Sequence, residues 1–147
     1  VVRALEVSIE AGEPISELQR KQPPPYRILE LGLYMERQNL HARADERVDQ
    51  MMVAGFLDEV RWLLEQGYSK RLPAMSGLGY AQLVRHLVDK LPLETAVEET
   101  KVATHQFIRR QDTWFRGHDN GIVWHNVQHT DTQALLDLCL RWLQDSE

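Results

Sequence analysis

PLETAVEETKVATHQFIRRQDTWFRG, residues 92–117, decides the fold class. Pro92 opens it at a first-turn position, where a missing N–H costs nothing, and Gly117 is a natural stop. Nothing between them breaks a helix, so the stretch predicts one long helix running to Arg116. At about 100° per residue, Ala96, Ala103, Phe107, Gln111 and Trp114 fall on one side, with Val97, Thr104, Ile108 and Phe115 widening that core face. Lys101, His105, Arg109, Asp112 and Arg116 form an adjoining stripe, and Arg110 lies at the other rim. The cations border the buried side instead of lying opposite it.

Lys101, Arg109, Arg110 and Arg116 meet a single acid, Asp112, within residues 101–116, and His105 and His118 flank the cluster, in a chain of formal net charge −5. Two readings stand. Cations at a helix C-terminus complement the dipole, at about 0.3–1 kcal/mol each. Alternatively the edge holds an anionic ligand, and arginine beside exposed aromatic edges suits phosphates and stacked bases, single-stranded RNA above all.

Outward from this helix, the pattern predicts a mainly α chain with two or three short strands. Val2, Leu5, Val7 and Ile9 make a helical stripe that Gly12 ends, and ISELQR after Pro14 reads as a short helical turn. Pro23, Pro24 and Pro25 then stop everything, marking a stiff, extended linker. YRILELGLYM, residues 26–35, is β-rich and nearly continuous in apolar residues, as a strand covered on both faces should be. A helix is expected over residues 39–54, a second over 56–66 after Gly55, and a third over 80–88. Residues 122–127 read as a short strand, and Asp131 as the N-cap of a last helix carrying Leu135, Leu138, Cys139 and Trp142.

Three smaller features bear on chemistry. HARADER places Arg43 and Arg47 one turn apart on one helix face. Asp45, Glu46 and Asp49 can answer them as a surface network, or the pair can offer forked donors to a diphosphate. SGLGY, residues 76–80, is a flexible turn entering a helix, where free N–H groups can meet a phosphate or base. His125 and His129 straddle a strand end, which is not the helical metal-ligand spacing. No GxxxxGK[ST], HExxH or CxxC occurs.

The 147 residues fit one domain, and 43% apolar with 27% charged content is that of an ordinary globular protein. No apolar run reaches the roughly 18–20 residues of a membrane span, and no secretory h-region is present. The lone Cys139 reads as a structural thiol in a reducing compartment, ahead of a reactive one. The expectation is therefore a cytoplasmic protein. VVRALEVSIEAG begins already in helical register, as if the chain continued a longer protein.

RALEV (residues 3–7), LHARADERVDQMMVAGFLDEV (40–60), LPAMSGLGY (72–80) and RRQDTWFR (109–116) occur in the order found in the C-terminal half of bacterial tRNA dimethylallyltransferases, also called tRNA isopentenyltransferases. The chain resembles that half from its first residue to about Val127. The resemblance implies transfer of a dimethylallyl group from dimethylallyl diphosphate to N6 of adenosine 37, beside the anticodon of tRNA. It implies a P-loop-like α/β core with a helical insertion gripping the anticodon stem-loop. On that basis residues 1–22 end the insertion, 23–25 are a proline linker, and 26–147 belong to the core.

Residue by residue, Arg47 in the pattern LxxRxxxRxxxM matches the arginine expected at the diphosphate, with Arg43 a weaker candidate. Arg3 matches a tRNA-contacting arginine. Ser76, Gly77, Leu78, Gly79 and Tyr80 match a further tRNA-contacting loop. Arg109, Arg110, Gln111, Thr113, Trp114 and Arg116 match the tRNA-binding KRQxTWFR segment, with Phe107 and Trp114 expected to pack the channel wall. Three positions depart from the family pattern: His105 where arginine is usual, Arg109 where lysine is usual, and Ala81 where a basic residue is common.

The family's phosphate-binding loop, catalytic aspartate and Mg²⁺ ligands belong to its N-terminal half. The chain alone is therefore expected to be inactive, without a metal site of its own. Its partners would be the anticodon stem-loop and dimethylallyl diphosphate, with no membrane. The parent protein would be a monomer, whereas an open strand edge would favour self-association of this part. Two other readings are a non-catalytic helical RNA-binding module and a helical protein-interaction domain.

Overall fold

The computed structural model describes residues 2–18, 25–117 and 121–145. In chain order its elements are α1 (Val2–Ala11), α2 (Ile15–Leu18), β1 (Leu31–Tyr34), α3 (Arg37–Val53), α4 (Phe56–Glu65), a 3₁₀ turn (Pro73–Ser76), α5 (Tyr80–Asp89), α6 (Leu93–Gly117), β2 (Val123–Asn126) and α7 (Thr132–Gln144). The described residues are mainly α with two short strands, as their periodicity predicts. Pro23, Pro24, His118 and the end of ISELQR lie outside the described residues.

The core lies where α4, the 3₁₀ turn, α5 and the first half of α6 meet. Phe56 and Val60, one turn apart on α4, close over Met75, Leu83, Val84 and Ala96, with Leu63, Leu64 and Leu87 partly buried around them. Gly55 takes φ +97, ending α3 and letting α4 start in a new direction. Gly79 takes φ +84, and a Cβ there would stand 2.5 Å from Phe56 Cε1. Its N–H donates to Gln82 Oε1 at 3.0 Å, capping α5. Backbone strain and overpacking both oppose a side chain, so Gly79→Ala is expected to cost about 2–4 kcal/mol. Urea denaturation checks this, and an unchanged midpoint would contradict the packing described.

β1 pairs with β2 in parallel, with Leu31 opposite Val123 and Tyr34 opposite Asn126. Parallel neighbours need a long crossover, which α3 to α6 supply. Gly32 makes the pairing possible, because a Cβ at that position would lie 2.5 Å from Trp124 Cε3. The expectation of a ten-residue strand covered on both faces is not met. β1 has four residues, and Leu33 is 58% exposed. One neighbouring strand among the described residues leaves most of that surface open.

α6 is also less buried than its pattern predicts. Its 25 residues extend about 37 Å, whereas the ten residues of α5 reach about 15 Å. Burial stops where α5 stops. Ala96 and Thr100 are buried, while Phe107, Gln111, Trp114 and Phe115 are exposed. Beyond α5, the partner of α6 is α3, which it crosses antiparallel. Asp45 bonds His105 at 2.7 Å and Asp49 bonds Lys101 at 2.7 Å, one turn apart on each helix. Among the described residues α1 packs against α2 and no other helix or strand. On α7, Asp131 accepts from Gln133 N–H as the expected N-cap. Arg27 ties α7 to the segment before β1, lying 4.5 Å over the Trp142 ring.

Candidate anion-binding cleft

The antiparallel crossing of α3 and α6, closed at one end by the sheet, leaves a cleft of about 810 Å³. Arg37 and Arg43 line it from α3, Arg109 and Arg116 from α6. Leu33, Tyr34 and Trp124 contribute from the strands, and His41 and His105 stack on each other in its lining. The C-terminal part of the stripe predicted along α6, from His105 to Arg116, and Arg43 of α3 thus lie on two walls of one cleft.

The charge accounting separates the two readings of HARADER. Asp45 is taken by His105, Asp49 by Lys101, and Glu46 by the Gln50 amide at 3.1 Å. Each acid that might have answered Arg43 and Arg47 is committed elsewhere, two of them across the helix crossing. Among the described residues Arg37, Arg43, Arg47, Arg109 and Arg110 form no ion pair. The Asp49 hydrogen bond holds the Lys101 ammonium above its ordinary range, against the opposing pull of desolvation. Lys101 is therefore tied to the α3–α6 crossing, whereas Arg37, Arg43 and Arg109 are not.

Arg116 is fixed differently. Its Nε donates to Asp112 Oδ1 at 2.7 Å, and its guanidinium lies 4.8 Å from the Trp124 ring centre and 6.0 Å from that of Tyr34. The contacts with two aromatic rings and one carboxylate place Arg116 at the sheet end of the cleft.

Of the other predicted residues, Gln111 also lines the cleft. Arg47 lies one turn beyond Arg43, exposed and outside the lining. Arg110 turns away, its guanidinium 5.9 Å from the Phe107 ring centre. Thr113 Oγ1 donates to the Arg109 carbonyl at 2.9 Å, inside α6. Trp114 lines a second cavity of about 570 Å³ with Phe115, Gly32, Ile122 and Trp124. Arg3 is exposed on α1, 3.5 Å from Glu6.

Residues 76–80 line neither cavity. Ser76 donates to the Pro73 carbonyl at 2.6 Å, Leu78 is exposed and Gly79 is buried. The Tyr80 hydroxyl donates to Glu59, a bond that, with burial, raises its pKa. Arg37 and His41 escaped the sequence reading. α3 begins two residues before its expected start, which brings Arg37 onto the helix one turn before His41.

Among the described residues no three His, Cys, Asp or Glu side chains are placed to hold a metal ion. The cleft itself does not fit Mg²⁺, because its one lining carboxylate, Asp112, is held by Arg116 among further cations. Among the same residues no helix is long and apolar enough to cross a membrane.

The model of IPP transferases matches residues 1–118, which include α1 to α6 and every arginine of the cleft. The chain belongs to the IPP transferase family. A tRNA dimethylallyltransferase of Dehalococcoides mccartyi is 41% identical over 145 residues, covering 99% of this chain and 45% of that protein. One from Chloroflexus aggregans is 46% identical over 136 residues, covering 92% and 46%. Among solved structures, a tRNA isopentenylpyrophosphate transferase of Staphylococcus epidermidis superposes with a TM-score of 0.77 at 30% identity, covering 99% of this chain and 47% of that one. That of Bacillus halodurans gives 0.73 at 28%, covering 95% and 44%. The chain therefore spans about half the length of the relatives it matches.

Proposed function

We propose that this chain is the C-terminal part of a tRNA dimethylallyltransferase, and that its α3–α6 cleft binds the phosphates of the anticodon stem-loop. The observation that carries this reading is that Arg37, Arg43 and Arg109, around one cleft, form no ion pair among the described residues. Exposed arginines that line one cleft without a carboxylate partner among the described residues are placed for an anion. The names of the relatives supply the substrates: tRNA and a prenyl diphosphate. Residues 1–22 would extend the RNA-gripping surface, with Arg3 and the 76–80 loop touching the RNA outside the cleft.

The reaction would join N6 of the target adenosine to C1 of the dimethylallyl group as the C1–O bond breaks and diphosphate leaves. Arg47, outside the cleft lining, would offset the charge building on the departing diphosphate, while Arg43 within the cleft is assigned to RNA phosphate. The proton leaving N6 would pass to a base outside this chain, and Mg²⁺, which the cleft does not fit, is likewise assigned outside it.

A stem-loop RNA titrated into the 147-residue chain tests the reading. Three to four phosphate contacts give a log–log slope of affinity against salt of about −2 to −3. Absence of binding, or binding indifferent to salt, would favour a protein-interaction domain.

A further inference from the structure

His41 on α3 and His105 on α6 stack with ring centres 4.0 Å apart and planes 6° from parallel. Both line the cleft. His105 Nε2 lies 2.7 Å from Asp45 Oδ1, so a carboxylate stands ready to answer one positive charge on the pair. A second charge is opposed, because two parallel imidazolium rings at van der Waals contact repel.

The other charged groups around the pair are mostly cationic. α3 presents Arg37 one turn before His41, and Arg43 on the same cleft wall. α6 presents Lys101, already bound to Asp49, then Arg109 and Arg116, with Asp112 bound to Arg116. β1 adds the Tyr34 hydroxyl. With the cleft empty, the field around the pair is mainly cationic. A polyanion between Arg43 and Arg109 reverses its sign.

We infer that the His41–His105 stack is a proton-linked part of the anion site, so that binding an RNA phosphate draws a proton onto the pair. The inference rests on the reading of the cleft as an anion site. The linkage has a definite sign. The bound state holds more protons than the free state, so affinity gains as pH falls and is lost as pH rises.

The test measures affinity of the 147-residue chain for an anticodon stem-loop RNA between pH 5.5 and 8 at constant ionic strength. RNA phosphodiesters carry constant charge across that range, so the titrating groups are the protein's. Uptake of one proton gives about a tenfold gain in affinity from pH 8 to pH 6. His105→Arg, which makes the charge permanent, and His41→Gln, which removes the second ring, should each flatten the profile. A flat profile in the unsubstituted chain, with binding intact, overturns the linkage and leaves the cleft reading standing. A profile equally steep in both variants also overturns it, assigning the proton elsewhere. No binding at any pH overturns the cleft reading together with this one.

Discussion

Arg43→Glu combined with Arg109→Glu is expected to weaken stem-loop binding by two to four decades while leaving the fold intact. The two side chains reach one cleft from opposite helices, and neither forms an ion pair among the described residues. A hydrogen bond to a charged group contributes about 1.5–3 kcal/mol, so losing two costs about 3–6 kcal/mol before any repulsion from the new carboxylates. The fold has no comparable stake in them. Both residues are exposed, and the α3–α6 crossing is held by Asp45–His105 and Asp49–Lys101, which the substitutions leave in place. Loss of affinity with an unchanged unfolding midpoint is the expected pair of results. Retained affinity would remove the cleft from the account and shift the RNA to Arg110 or the 76–80 loop.

The 147-residue chain given tRNA and labelled dimethylallyl diphosphate is expected to form no prenylated product in a single turnover. It matches 45% of a curated relative and 47% of a solved one. The cleft is rich in groups that bind anions, and among the described residues it offers no unpaired carboxylate. Asp112 is occupied by Arg116, and Asp45 by His105. Electrostatic stabilisation of a leaving diphosphate lowers a barrier only when nucleophile, base and leaving group are assembled together. Product above the protein-free background would show that the chain holds a complete site.

Much of this arrangement was legible in the residues. Pro92 and Gly117 bracket α6 to within a residue, and Asp131 caps α7 as its side chain suggests. The cationic stripe of α6 follows from helical spacing alone and forms a wall of the cleft. The burial of that helix did not follow, because periodicity reports which residues share a face but not how far the neighbouring helix reaches. Phe107 and Trp114 remain exposed for that reason.

The fate of Asp45 and Asp49 was hidden for a related reason. Local spacing pairs them with Arg43 and Arg47, and only the crossing of α3 with α6, some 50–60 positions apart in sequence, turns them toward Lys101 and His105. The same crossing stacks His41 on His105. A tertiary contact thus decided both which cations stay unanswered and which histidines meet.

The central claim is that the arginines between α3 and α6 hold RNA phosphates. Its most direct measurement is the affinity of the unsubstituted chain for an anticodon stem-loop across a salt series. The account expects binding whose logarithm falls with the logarithm of salt at a slope of about −2 to −3, reduced by about one to two in Arg43→Glu/Arg109→Glu. Binding that is absent, or equally salt-dependent in the two proteins, would contradict it.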